Sequence, residues 1–258
     1  MSTSPWTLDG SIARMEYGPW RAQLDLTRPG AGLTNVAGSA GPLGAENLFG
    51  PLPPGVDVEQ SIRPTDVYLR DDEVVAEYAA TAERPVRATF AWRCHDLGWL
   101  DEPAVRASDG LMIELLVTLD TDEFAVPAET IVRSQLAAEQ ALRYTNIAGQ
   151  PLEPIGVRDR IATLRPAEGA LCVLLRGGGE QFSHAQMVHP HDRCTLRLER
   201  AVDSSAIVLR HDLFDWPLEK GVTLRARLRG VFLPAEQDEP ATIAAYDELA
   251  RQPPALTA

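Results

Sequence analysis

Four of the five histidines of this chain stand close together, at His184, His189, His191 and His211. The centre of the region reads Ser183-His-Ala-Gln-Met-Val-His-Pro-His-Asp192. An imidazole with an ordinary pKa of about 6.5 exchanges protons at neutral pH. His184 or His189, acting with Glu180 or Glu219, would supply one proton donor and one acceptor. A plainer reading of the same residues is open: polar positions on a loop and an edge strand, with Pro190-His191-Asp192 forming a turn. His184, His189, His191, Asp192 and Cys194 are also donor types that metals use. Their spacing lacks the paired pattern of structural zinc sites, and no acidic run has calcium-loop spacing. No metal and no other cofactor is expected.

Three further features bear on binding. Gly177-Gly-Gly-Glu180 would let backbone N–H groups approach a ligand and would set Glu180 and His184 near a cleft. It lacks the Lys-Ser/Thr of a phosphate-binding loop, and a hairpin connection accounts for it. In Gly221-Val-Thr-Leu-Arg-Ala-Arg-Leu-Arg-Gly230, apolar residues alternate with Thr223, Arg225, Arg227 and Arg229. Strict period two marks a strand with one apolar face. The arginine stripe would either face an anionic or polyhydroxyl ligand or pair with carboxylates on neighbouring strands, such as Glu199 or Asp203. Trp99 and Trp216 fall in loop-like sequence, where an indole plugs the end of a sandwich or meets a ligand; Trp92 alternates with Phe90 and reads as core.

The elements that must position these groups are strands. Runs with strand character cover 11–17, 20–26, 66–70, 73–80, 86–93, 111–119, 131–134, 171–175, 194–200, 206–211 and 222–233. Gly, Pro and Asp turns separate them, which predicts a large antiparallel β-sandwich. Asp71-Asp72 sits at a hairpin turn. The Gly- and Pro-rich stretch 37–54 reads as a long surface loop. One helix stands out over 238–251: acids lie early, Pro240 falls in the first turn, and Arg251 closes the end ahead of Pro253-Pro254. A shorter helix at 127–133 reads equally well as strand. One domain over 1–258 is expected.

The chain of 258 residues carries a formal net charge of -13. Such an acidic chain does not suit general nucleic-acid binding, which needs surplus basic residues. No apolar run reaches a membrane span of about 20 residues, and the N-terminus lacks a signal-peptide pattern. The three cysteines, Cys94, Cys172 and Cys194, form no Cys-x-x-Cys pair and read as free buried thiols. A soluble cytoplasmic protein is expected, without membrane or nucleic-acid partners and with a homodimer as an option.

The opening hairpin Gly18-Pro-Trp-Arg-Ala-Gln-Leu-Asp-Leu-Thr-Arg-Pro-Gly-Ala-Gly-Leu33, with the later runs 66–93 and 110–120, resembles the galactose-mutarotase-like β-supersandwich family. The resemblance covers most of the chain as a pattern. It implies a concave sheet facing a sugar. In epimerases of that family a His general acid and a Glu general base face the sugar ring. Carried to this chain, that implies a sugar or glycan ligand with His184 or His189 and Glu180 or Glu219 as the acid–base pair. Arg225, Arg227, Arg229, Trp99 and Trp216 would then contact the sugar. Two other readings are open: a glycan-binding module without catalysis, and a structural β-sandwich subunit.

Overall fold

The computed structural model describes residues 4–39, 41–98, 110–145, 150–156, 161–165, 171–177, 182–192, 194–201 and 204–255. In chain order the strands are β1 (Trp6–Asp9), β2 (Ile12–Tyr17), β3 (Trp20–Asp25), β4 (Leu33–Gly38), β5 (Gly41–Pro42), β6 (Ala45–Leu52), β7 (Asp66–Arg70), β8 (Glu73–Tyr78), β9 (Arg87–His95) and β10 (Leu111–Asp120). There follow β11 (Thr130–Ala137), β12 (Gln140–Arg143), β13 (Glu153–Pro154), β14 (Ala162–Leu164), β15 (Cys172–Arg176), β16 (Phe182–Val188), β17 (Cys194–Arg200), β18 (Ala206–Leu213) and β19 (Thr223–Pro234). Helix α1 (Asp238–Arg251) comes last. The larger sheet has ten strands in the order β1-β2-β3-β4-β6-β11-β18-β17-β14, with β5 beside β4; the smaller has nine, β13-β12-β15-β16-β19-β10-β9-β8-β7. The pairings are antiparallel, so the all-β sandwich with one C-terminal helix is as the sequence predicts.

The period-two pattern sorts each strand between two environments. On β19, Leu224, Ala226, Leu228 and Phe232 enter the core between the sheets. Val231 and Leu233 turn outward into a second apolar cluster with Tyr246 and Leu249 of α1. Arg225, Arg227 and Arg229 share that outward face. The helix therefore roofs the outer side of the smaller sheet. Its N-terminus is tied down by Asp238, which accepts hydrogen bonds from Arg176 (2.7 and 2.6 Å) and from the Ser183 hydroxyl (2.6 Å).

Two stretches read as loop, or as loop and edge strand, are strands inside their sheets. The histidine-bearing run 182–188 is β16, and all seven of its residues are buried. One face meets the opposite sheet and the other meets α1, so burial imposes no alternation of polarity to read. In 37–54, β6 pairs with β11 near the middle of the larger sheet. Its glycine is there for contact rather than for a turn: a Cβ on Gly50 would lie 2.1 Å from the Gly30 carbonyl oxygen. Gly230 plays the same part inside β19, where a Cβ would meet the Phe49 ring at 2.6 Å. Phe49 itself has φ 53°. Its amide donates to Ser134 Oγ (3.0 Å), its carbonyl accepts from Trp92 Nε1 (3.2 Å), and Gln186 Nε2 donates to the same Ser134 oxygen (2.7 Å). A short polar seam thus bolts the two sheets together. Trp92 is core, and the three cysteines are free and buried, both as expected. The segment 127–133 resolves to strand from Thr130 onward.

Candidate functional site

At one end of the sandwich a groove of about 470 Å³ opens on the outer face of the larger sheet. Its wall is the turn after β18, where Phe214 has φ 59° and Trp216 follows. That left-handed backbone is uncommon for a bulky residue and aims the turn across the sheet end. The Phe214 and Trp216 rings meet edge to face, with centroids 6.2 Å apart. Trp216 is half-buried: part of the indole packs on the core and part lines the groove.

The floor comes from outward positions of β17 and β18. Alternation sends Cys194, Leu196 and Leu198 into the core, leaving Thr195 and Arg197 in the groove. Leu209 and Leu213 likewise face inward, which leaves Arg210 and Asp212 outside. The Asp212 carboxylate is shared by the two guanidiniums: Arg210 Nε donates to it at 2.6 Å, and Arg197 Nε forms an ion pair with it at 3.0 Å. Arg210 also reaches Glu129 at 3.7 Å, on the far wall. The result is an aromatic wall facing a fixed array of guanidinium donors and carboxylate acceptors. Such an array suits a neutral ligand with several hydroxyls and an apolar face.

The residues expected to do chemistry scatter. His184 lies on β16 between the sheets, against Phe232 at a 4.4 Å ring separation, beside a recess of only about 20 Å³. Neither of its ring nitrogens has a hydrogen-bond partner among the described residues, and burial pushes its pKa down to about 3. His189 accepts the His191 amide on Nδ1 (3.2 Å), so its Nε2 carries the proton and donates to the Gln252 carbonyl (3.0 Å). Burial lowers its pKa as well. Glu219 is exposed in the turn before β19, and Phe232 is the β19 residue opposite His184. At ~3.3 Å per residue, the stretch from Thr223 to Phe232 alone puts about 30 Å between that turn and His184. Glu180 and Trp99 lie outside the described residues, as does Asp203. Among the described residues no three His, Cys, Asp or Glu side chains come together as a metal site.

The arginine stripe has its partners on the outer side of the smaller sheet, away from the groove. Arg229 is buried and bridges Glu114 and Glu248; Arg227 donates to Gln252 (2.6 Å); Arg225 is exposed. Carboxylate pairing thus holds for Arg229, with Glu114 and Glu248 as its partners. Glu199 lies on β17 of the opposite sheet, so it cannot reach the stripe.

No protein-family model and no curated protein matches the chain. Solved structures do. A galactose mutarotase-like protein from Lactobacillus casei ATCC 334 superposes with a TM-score of 0.56 at 12% identity, over 86% of this chain and 99% of that one. A putative aldose 1-epimerase from Klebsiella pneumoniae subsp. pneumoniae MGH 78578 gives 0.53 at 10% identity, over 95% and 85%. The fold is galactose-mutarotase-like.

Within this galactose-mutarotase-like sandwich, sequence reasoning found one groove residue, Trp216. It passed over Phe214, Arg197, Asp212 and Glu129. The signal was available in Asp212-Leu-Phe-Asp-Trp-Pro217, where two aromatics and two acids crowd a strand end ahead of a proline. The alternation of 194–200 likewise marks Arg197 as outward-facing. Among the described helices none is long and apolar enough to cross a membrane.

Proposed function

We propose that this protein recognises a carbohydrate in the Trp216 groove. The observation that carries the reading is that Trp216 lines the same groove as the ion-paired Arg197 and Asp212. A sugar ring offers an apolar face to stack on an indole and a rim of hydroxyls. A guanidinium beside a carboxylate donates to one hydroxyl oxygen and accepts from the next. The matching galactose mutarotase-like protein and putative aldose 1-epimerase support the same ligand class. We read the activity as recognition. Of the candidates for acid–base epimerisation, His184 lies between the sheets, about 30 Å along β19 from Glu219, so these two do not form a pair.

Anomeric exchange spectra of a panel of aldoses at neutral pH test this. Saturation transfer to a sugar without faster interconversion of its anomers is the expected result. Trp216→Ala should weaken that binding at least about tenfold, the effect of truncating an anchoring aromatic. A panel with no binding overturns the reading. Accelerated interconversion lost in His184→Ala or His189→Ala would restore the epimerase in its place.

A further inference from the structure

The Trp216 groove has a neighbour. The connection from β10 to β11 crosses from the smaller sheet to the larger at this end of the sandwich. Ala125, Pro127 and Ala128 of that connection line the Trp216 groove. Asp122, Glu123, Phe124 and Val126 line a second groove of about 580 Å³ with Thr81 and Pro85. Each groove alone is in the ~300–1,000 Å³ range of small-ligand sites. They share one wall, a few residues thick.

The crest of that wall is Phe124, whose ring is 81% exposed. The backbone beneath it is held in place. Val126 and Leu218 exchange both backbone hydrogen bonds (3.0 and 2.8 Å). The Thr121 hydroxyl donates to the Pro85 carbonyl and accepts the Glu123 amide (3.1 Å). Asp122 is paired with Arg87. Ala125, next to Phe124, has φ 54°, a left-handed conformation in a residue other than glycine. Lys220 Nζ stands 5.8 Å from the Phe124 ring centroid, steadying the ring from the Trp216 side. An exposed aromatic on a braced, strained turn between two polar-lined grooves is a stacking platform.

We propose that the ligand is an oligosaccharide. It places one sugar unit on Trp216, crosses the β10–β11 connection, and stacks a further unit on Phe124 in the second groove. This rests on the Trp216 groove being a carbohydrate site. A monosaccharide would fill the first groove and leave Phe124 bare. A continuous chain of sugars covers both aromatics and meets acceptors at Asp122 and Glu123 on the far side.

Calorimetric titration tests this with two linear series, α-1,4-linked glucose and β-1,4-linked glucose, each from monosaccharide to tetrasaccharide. In the series that binds, Kd should fall at least about tenfold between the monosaccharide and the longer members. Phe124→Ala should erase that gain while leaving monosaccharide affinity unchanged, and Trp216→Ala should weaken every member. The Phe124 side chain is exposed, so its removal leaves the core intact; thermal unfolding checks this. Affinity independent of chain length, or a length gain that survives Phe124→Ala, overturns the oligosaccharide inference and leaves the Trp216 reading standing. Binding that ignores Trp216→Ala, or no binding by either series, overturns both.

Discussion

Arg229→Ala is expected to lower stability by about 3–5 kcal/mol, the loss seen when one partner of a buried ion pair is removed. The Arg229 side chain is 1% exposed. Its Nε and one terminal nitrogen both donate to Glu114 Oε1, at 3.0 and 2.9 Å. The other terminal nitrogen donates to the Ala245 carbonyl (3.2 Å) and to Glu248, both on α1. Truncation leaves the Glu114 carboxylate under the helix without its counter-charge and loosens the roof of the smaller sheet. Arg229→Lys should recover only part of the loss, because an ammonium cannot make the planar fork. The paired change Arg229→Met with Glu114→Leu should recover most of it, since no charge is then left buried alone. Arg225→Ala, on the same face but exposed, should stay within about 0.5 kcal/mol. Urea denaturation of the four variants measures this. An Arg229→Ala loss no larger than that of Arg225→Ala would refute the clamp.

Stability is also expected to fall with acid through several buried groups. Burial holds His184 at a pKa of about 3 and His211 at about 4 in the folded chain, against 6.5 when unfolded. Below that value the unfolded chain takes up two protons that the folded chain refuses, so stability drops as pH falls. Asp192 works the other way. Its burial raises the carboxyl from 3.8 to about 6, so the folded chain binds that proton first. Between about pH 6 and pH 4 the buried histidines, His189 among them, outweigh Asp192, so acidification lowers stability on balance. His211→Gln should flatten the slope and Asp192→Asn should steepen it. Denaturation midpoints at several pH values give the slope directly; a flat profile in the wild-type chain would refute the account.

Legibility in the sequence followed the asymmetry of each element's surroundings. Strand β17 has one wet face and one dry face, so Cys194, Leu196 and Leu198 announced its register and its direction. Helix α1 was readable to the residue because its ends carry acids, Pro240, Arg251 and the Pro253-Pro254 stop. Strand β16 read as loop or sheet edge, since His184 and Gln186 are polar yet as buried as Ala185 and Met187. Histidines there read as chemistry, when their placement is between two sheets. Strand β6 was hidden by Gly50, whose missing side chain serves a backbone crossing. The groove was half legible: Trp216 stood out as a loop aromatic. Its partners Arg197 and Asp212 looked like ordinary outward residues of two strands, because the turn that brings Phe214 over them is a backbone property.

The pairing at the heart of the smaller sheet sets the order in which the molecule can come into being. Leu111 of β10 lies opposite Phe232 of β19, and β10 has β9 on its other flank. On the ribosome, β7 to β10 can assemble early, but the neighbour that finishes β10 is the last strand made. From the synthesis of β10 until that of β19 the apolar run Leu111-Met-Ile-Glu-Leu-Leu-Val117 is therefore an open edge, of the kind that recruits other chains. Its closure waits on contacts between residues far apart in the chain, which form slowly. Expression yield should thus depend on how well the nascent chain is shielded during that interval, whatever the finished protein binds.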